Sequence, residues 1–349
     1  MARPLRISAF FLTLCLAPLA LAGEPASVPS ATPRQVQQSV ERAIGFMQTE
    51  STAWLKSRNC FTCHHLAMPL WAISEAERQG YTIDKAFVAE TTEAMIGGPD
   101  KLMTSKLFND PADPPDPRPI GKGVRTGTAF MAVAARSLPS LSEGQKQSLR
   151  RIADEILKKQ RNDGGWDFFL SRPPINESET TDAAWLIMAL QGETGPDATE
   201  SQRTALAKAN AWLADTKLPK TLQDQVFTVL LAARAGKPRE EMDATIRELL
   251  ALQRADGGWS QNADTASDAY ATGQTLYVLA LAGFTADQPE IKRSIDFLIA
   301  TQKPDGSWPM TSRSSPDGKT GGSAKLLTPI TCAASAWATL GLARLVPKE

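Results

Sequence analysis

The residues best suited to chemistry crowd into one short stretch, Cys60-Phe61-Thr62-Cys63-His64-His65. His64 and His65 are the only histidines in the chain. Cys-x-x-Cys-His is the spacing of c-type haem attachment, in which two thiols add to the haem vinyl groups and the next histidine ligates iron. Cys60, Cys63 and His64 are therefore candidate ligands of haem c, and a redox partner would follow from that cofactor. His65, one residue further along an expected helix, points about 100° away from His64. Met68 belongs to the same helix, so neither reaches the opposite haem face. A distal ligand would come from Met95, Met103, Met131, Met188 or Met310, or the iron would be five-coordinate. The same side chains admit zinc, held by Cys60, Cys63, His64 or His65 and a fourth ligand such as Cys332 or Asp268. They also admit a disulfide, Cys60–Cys63 or Cys63–Cys332.

The N-terminus sets the compartment in which that chemistry would run. Arg3 and Arg6 precede an apolar run from Phe10 to Leu21, and Ala20-Leu21-Ala22 is an A-x-A cleavage site. Residues 1–22 read as a signal peptide cut near Ala22, and Cys15 leaves with it. The mature protein is expected to be periplasmic or secreted, which is where haem is attached covalently. Residues 23–35, rich in Pro, Ala and Ser, read as a flexible lead-in to one domain over 36–349. Cys60, Cys63 and Cys332 remain, too few for a disulfide scaffold. No later window carries the roughly 18 apolar residues of a membrane span. Lys plus Arg equals Asp plus Glu, 38 each, so nothing suggests a nucleic-acid footprint.

Repeated elements must position the site. Gln48 precedes Trp54 by six residues, as Gln160 precedes Trp166, Gln253 precedes Trp259 and Gln302 precedes Trp308. Three copies share a turn: Asp163-Gly164-Gly165-Trp166, Asp256-Gly257-Gly258-Trp259 and Asp305-Gly306-Ser307-Trp308. Apolar residues recur at helical spacing before each Gln, and a second apolar helix follows each turn. The glycine would supply positive φ and end the first helix. The aspartate would cap the turn, and Gln and Trp would bridge neighbouring repeats. Degenerate copies fill the gaps and give six units, starting near residues 36, 85, 146, 202, 240 and 288. The Pro-rich stretch 110–119 is an insertion in the second unit.

These Gln-x-x-x-Gly-Gly/Ser-Trp turns resemble those of the prenyltransferase and squalene-oxidase repeat proteins, the terpene cyclase-like toroids. The resemblance spans almost the whole mature chain. It implies an all-α fold, an (α/α)6 toroid of six helix-hairpin repeats like that of the terpene cyclases and protein prenyltransferases. Six inner helices, starting near His64, Val124, Thr181, Gln225, Tyr270 and Thr328, would line a cavity. Their N-terminal ends would share one mouth and offer positive potential to polar or anionic ligands. The toroid would also bring Cys332 beside the first repeat. Protein prenyltransferases of this class bind zinc at the barrel mouth, which is what keeps that ion among the alternatives.

Cyclases of the resembling family use an Asp-x-Asp-Asp motif whose central acid protonates the substrate. The nearest match is Glu179-Thr180-Thr181-Asp182, where Thr181 occupies the donor position. A hydroxyl is no strong acid. With 3 Tyr and 12 Phe, the cavity is expected to be short of the π faces a polyene cation needs. Asp182, Asp268 and Glu179 are the weak catalytic candidates; Asp182 and Asp268 read equally as helix caps. Three functions follow: a haem-bearing toroid in periplasmic redox or electron transfer; a zinc- or disulfide-containing toroid binding a hydrophobic or glycan ligand; and a terpenoid cyclase with a degenerate acid motif.

Overall fold

The computed structural model describes residues 30–57, 64–98, 126–168, 173–175, 177–192, 198–216, 221–310 and 324–348. Residues 1–22 (the expected signal peptide), Cys60, Cys63, Met103, the Pro-rich stretch 110–119 and Val124 lie outside the described residues. Among those described, every regular element is helical.

Among the described residues twelve α-helices alternate in two roles. The outer helices are α1 (Pro33–Ser57), α3 (Lys85–Ile96), α5 (Glu143–Lys158), α7 (Glu200–Asp215), α9 (Asp243–Ala251) and α11 (Pro289–Thr301). The inner helices are α2 (Ala67–Arg78), α4 (Thr126–Arg136), α6 (Glu179–Gln191), α8 (Leu222–Arg234), α10 (Ala269–Leu281) and α12 (Ala324–Leu345). These are the six expected pairs. Each inner helix packs on the next, α2 to α4 to α6 to α8 to α10 to α12, and α12 packs back on α2. The chain is an all-α toroid.

Composition explains the two layers. Outer helices bury one stripe: α5 hides Leu149, Ile152, Ala153 and Ile156 and turns Arg and Lys outward. Inner helices are apolar all round, and α10 is buried from Ala269 to Leu279. Gly273 sets the closeness of α10 and α12, because a Cβ there would lie 2.4 Å from the backbone nitrogen of Ala338. Helix starts follow local chemistry. Ser142 and Thr199 form capping boxes with Gln145 and Gln202, and Asp84 caps α3.

The Gln–Trp turns work as expected, with one division of labour the sequence did not specify. Asp163, Asp256 and Asp305 each accept the amide two residues on, at 3.0, 3.0 and 2.9 Å. Gly164, Gly257 and Gly306 have φ of 98, 85 and 90°. The glutamine bridges repeats: Gln160 Nε2 donates to Ala205 O at 2.9 Å and Gln253 Nε2 to Glu290 O at 2.7 Å, each on the next outer helix. The indole stays within its own repeat. Trp166, Trp259 and Trp308 donate to Ile156 O, Leu249 O and Leu298 O, ten residues back, at 2.9, 2.7 and 2.9 Å. The Gln48–Trp54 copy forms no such turn. It lacks the glycine pair, and α1 runs straight through it to Ser57.

Candidate functional site

The axis of the ring corrects the expectation of a cavity short of aromatics. Trp71 of α2, Phe130 of α4, Trp185 of α6, Phe227 of α8, Tyr270 and Tyr277 of α10 and Trp337 of α12 are all buried there. Trp337 lies 5.1 Å from Trp71, 6.1 Å from Tyr277 and 6.3 Å from both Trp185 and Phe227, ring centre to ring centre. Phe130 and Trp185 meet edge to face at 4.4 Å. Seven aromatics, two from α10 and one from each other inner helix, suffice to fill the axis of the described ring. Met131 and Met188 are buried in the inner helices α4 and α6, and Met95 and Met310 are buried in the core.

At the N-terminal mouth, the cyclase-like segment is divided among structural tasks. Ser178 is the N-cap of α6 and accepts Thr181 N at 3.0 Å. Glu179 pairs with Arg161 at 3.0 Å. Asp182 is buried in the first turn but is not the cap; its Oδ1 accepts the hydroxyl of Thr126 from α4. Thr181, in the proton-donor position, donates to Asp224 Oδ1 at 2.9 Å. Asp268 is the N-cap of α10: Oδ1 accepts Ala271 N at 2.8 Å and Oδ2 accepts Gln261 Nε2 at 2.9 Å.

Asp224 is the acid that sequence reasoning missed. Its Oδ1 accepts Ser178 Oγ at 2.7 Å, Thr181 Oγ1, and Thr180 Oγ1; its Oδ2 accepts Thr221 N and Oγ1, both at 2.9 Å. Five donors on two oxygens make it an acceptor hub rather than a proton source. The Thr221-x-x-Asp224 spacing is a capping-box signature, and that was the available signal. Beside it opens a pocket of about 40 Å³ lined by Thr180, Thr216, Asp224, Thr228, Ala184 and Phe227, a size for a few waters.

His64 and His65 stand in the turn just before α2, not on the helix, which begins at Ala67. Their environments differ. His64 is half-buried. His65 is 1% exposed and stacks on Trp54 of α1, ring centres 3.7 Å apart and planes 9° apart. The His65 carbonyl also accepts Ser51 Oγ of α1 at 2.5 Å. The two imidazoles are 6.0 Å apart. Cys332 is buried in α12. Among the described residues no three His, Cys, Asp or Glu side chains gather as metal ligands. No described helix is long and apolar enough to cross a membrane.

The opposite mouth, at the C-terminal ends of the inner helices, is basic. Arg78 donates to Ser137 O beyond the end of α4, and Arg136 to Ala189 O near the end of α6. Gln191 donates to Leu231 O of α8 at 3.1 Å, and Arg344 of α12 pairs with buried Glu75 of α2 at 2.9 Å. Side chains near the ends of α2, α4, α6 and α12 thus reach a neighbouring inner helix or the residue just beyond it. Burial alone would raise the Glu75 pKa, but the Arg78 and Arg344 guanidiniums hold it below the ordinary carboxylate range.

Residues 220–346, which run from α8 through α12, match the family model of the squalene-hopene cyclase C-terminal domain. No curated protein matches the chain. Its structural neighbours include unsaturated glucuronyl hydrolase from Streptococcus agalactiae, 11% identical over 91% of this chain and 93% of that one, TM-score 0.58. The unsaturated glucuronyl hydrolase of Bacillus sp. GL1 is 15% identical over 89% and 96%, TM-score 0.54. The ent-copalyl diphosphate synthase of Streptomyces platensis is 19% identical over 79% of this chain and 50% of that one, TM-score 0.51. In fold the chain is thus a terpene cyclase-like α/α toroid, with a squalene-hopene cyclase C-terminal domain match over its residues 220–346.

Proposed function

We propose that this is an exported α/α toroid carrying a covalent c-type haem on Cys60 and Cys63, with His64 as iron ligand, and serving electron transfer outside the cytoplasm. The observation that carries this reading is the unlike setting of the two histidines. His65 is buried flat against Trp54, while His64 stays half-buried in the turn that follows the two cysteines. The imidazole at the haem-motif position is thus the more accessible one. When bound, haem supplies one-electron chemistry. The chain's own part is to hold the turn. Ser51 and Trp54 of α1 fix the backbone and ring of His65, which fixes the position of its neighbour His64.

The test is periplasmic expression of the full precursor with haem-maturation machinery. The expected product is red, and its mature chain is heavier by one haem that survives denaturation. The double variant Cys60→Ala, Cys63→Ala should keep its helical circular dichroism and lose both signals. A colourless protein of unmodified mature mass would overturn the reading.

The match over 220–346 favours a second reading, a terpenoid cyclase. Thr181 in the donor position weighs against it, while the axial aromatics remove the expected shortage of π faces as an objection. Incubation with squalene and shorter prenyl substrates is expected to give no cyclised product. A product abolished by Asp182→Asn would put the cyclase first.

A further inference from the structure

We infer that the pocket beside Asp224 receives a primary ammonium group carried on a short carbon stem. The pocket lies where α6, the end of α7 and α8 meet, and its volume is about 40 Å³. Its lining is of two kinds. Thr180, Thr216, Asp224 and Thr228 are polar; Ala184, Leu213 and Phe227 are apolar. Asp224 and Thr180 are buried, while Thr228 is exposed and marks the open side. None of these residues belongs to the turn that carries His64.

The polar lining has lone pairs to offer and no free hydroxyl proton. Thr180 Oγ1 donates to Asp224 Oδ1, Thr216 Oγ1 to Trp212 O at 2.9 Å and Thr228 Oγ1 to Asp224 O at 2.9 Å. Each proton is used within the protein, and the carboxylate brings only acceptor oxygens. A ligand here must therefore donate.

Asp224 also brings a charge that the described residues leave without a counter-charge. Its partners are neutral: the hydroxyls of Ser178, Thr180, Thr181 and Thr221, and the Thr221 amide. Among the described residues no Lys or Arg forms an ion pair with it. A buried carboxylate held by neutral donors favours a cationic donor beside it.

The apolar lining selects the kind of cation. A hard metal ion gathers about six or more oxygens. One carboxylate and three hydroxyls are too few, and three hydrocarbon side chains complete the lining. A primary ammonium donates three hydrogen bonds, and its carbon stem can lie against Ala184, Leu213 and Phe227. The volume holds about three waters, hence a ligand of about three or four non-hydrogen atoms. A longer amine would leave past Thr228.

The competing account is a staple. Oδ2 caps the start of α8 through Thr221, and Oδ1 ties in the start of α6 through Ser178 and Thr181. A staple is best served by close packing. It gives no reason for a cavity beside the carboxylate, lined also by Leu213 and Thr216 of a third element that takes no part in the staple.

The test is calorimetric titration of the full mature chain with n-propylammonium chloride at neutral pH. Tetramethylammonium chloride, whose nitrogen has no proton to give, holds the ionic strength. Potassium chloride and 1-propanol are parallel titrants. Saturable binding of propylammonium is expected, with none of 1-propanol. Asp224→Asn should weaken it about tenfold or more. That change also touches the cap of α8, so two further variants carry the test independently. Ala184→Leu fills the cavity and should abolish binding at an unchanged helical circular dichroism. Thr228→Val, at the exposed rim, should weaken binding about threefold. No saturable response to propylammonium would leave Asp224 as a staple only and overturn the proposal. So would equal binding of 1-propanol, binding of potassium alone, or an affinity unchanged in both Asp224→Asn and Ala184→Leu.

Discussion

Gln302 Nε2 donates to the carbonyl of Ser39 at 2.9 Å, and so fastens the last repeat to the first. Its Oε1 accepts Ser39 Oγ at 2.7 Å and Arg42 at 2.6 Å. The bond is the same one that Gln160 and Gln253 make to their next repeat, but here it spans 263 residues and closes a circle.

Gln302→Ala should therefore cost more than an ordinary surface change. Three bonds are lost at a part-buried seam, and about 2 kcal/mol is expected from ordinary hydrogen-bond values. Urea denaturation measures it. A midpoint equal to wild type would show that the seam is held by apolar packing alone.

Gly306→Ala tests the turn itself. Its φ is +90°, and a Cβ would lie 2.3 Å from Arg42 O of the first repeat. Strain plus a backbone clash should cost about 2–4 kcal/mol. A thermal melt within a degree of wild type would mean that the first and last repeats can separate freely.

Trp337 is the hub of the axial cluster. Trp337→Ala should cost about 3–5 kcal/mol, as large aromatic truncations in cores do. Trp54→Ala, at a half-buried site over His65, should cost less in stability but should uncover His65. Equal losses in denaturant titrations would contradict the view that the axis is the core.

Glu75 sets an acid limb of stability. Its folded pKa is depressed, so its contribution is full above its unfolded value, near 4.5, and is lost as pH falls through the folded value. Glu75→Gln should flatten that limb. At neutral pH it should cost about 2 kcal/mol by leaving two guanidiniums without their carboxylate, less than a fully buried pair would. Melting temperature against pH for both proteins decides the point, and parallel curves would refute it.

Asp268 separates capping from catalysis. Asp268→Ala should cost about 1 kcal/mol, while Asp268→Asn should stay near wild type because asparagine also caps. A large loss in the asparagine variant would indicate a role that needs the charge.

The sequence by itself determined the helical class, the six pairs and the mechanics of the Gly turns. Those features rest on local rules: 3.6-residue periodicity, positive φ at glycine, and an aspartate two residues before an amide. It also marked Thr181 as a missing acid, because residue type at that position settles it, and left Asp268 between cap and catalytic candidate until the structure showed the cap. Tertiary structure alone decided the rest. That Gln302 reaches Ser39, that seven scattered aromatics fill one axis, and that Asp224 gathers three hydroxyls from the start of α6 depend on ring closure. So does the meeting of Arg78 of α2 and Arg344 of α12 on Glu75. Such contacts join residues tens to hundreds of positions apart, and no local pattern encodes them. The histidine pair shows the boundary most clearly. The spacing of Cys60, Cys63 and His64 names a chemistry, but only the packing of Trp54 against His65 distinguishes one imidazole from the other.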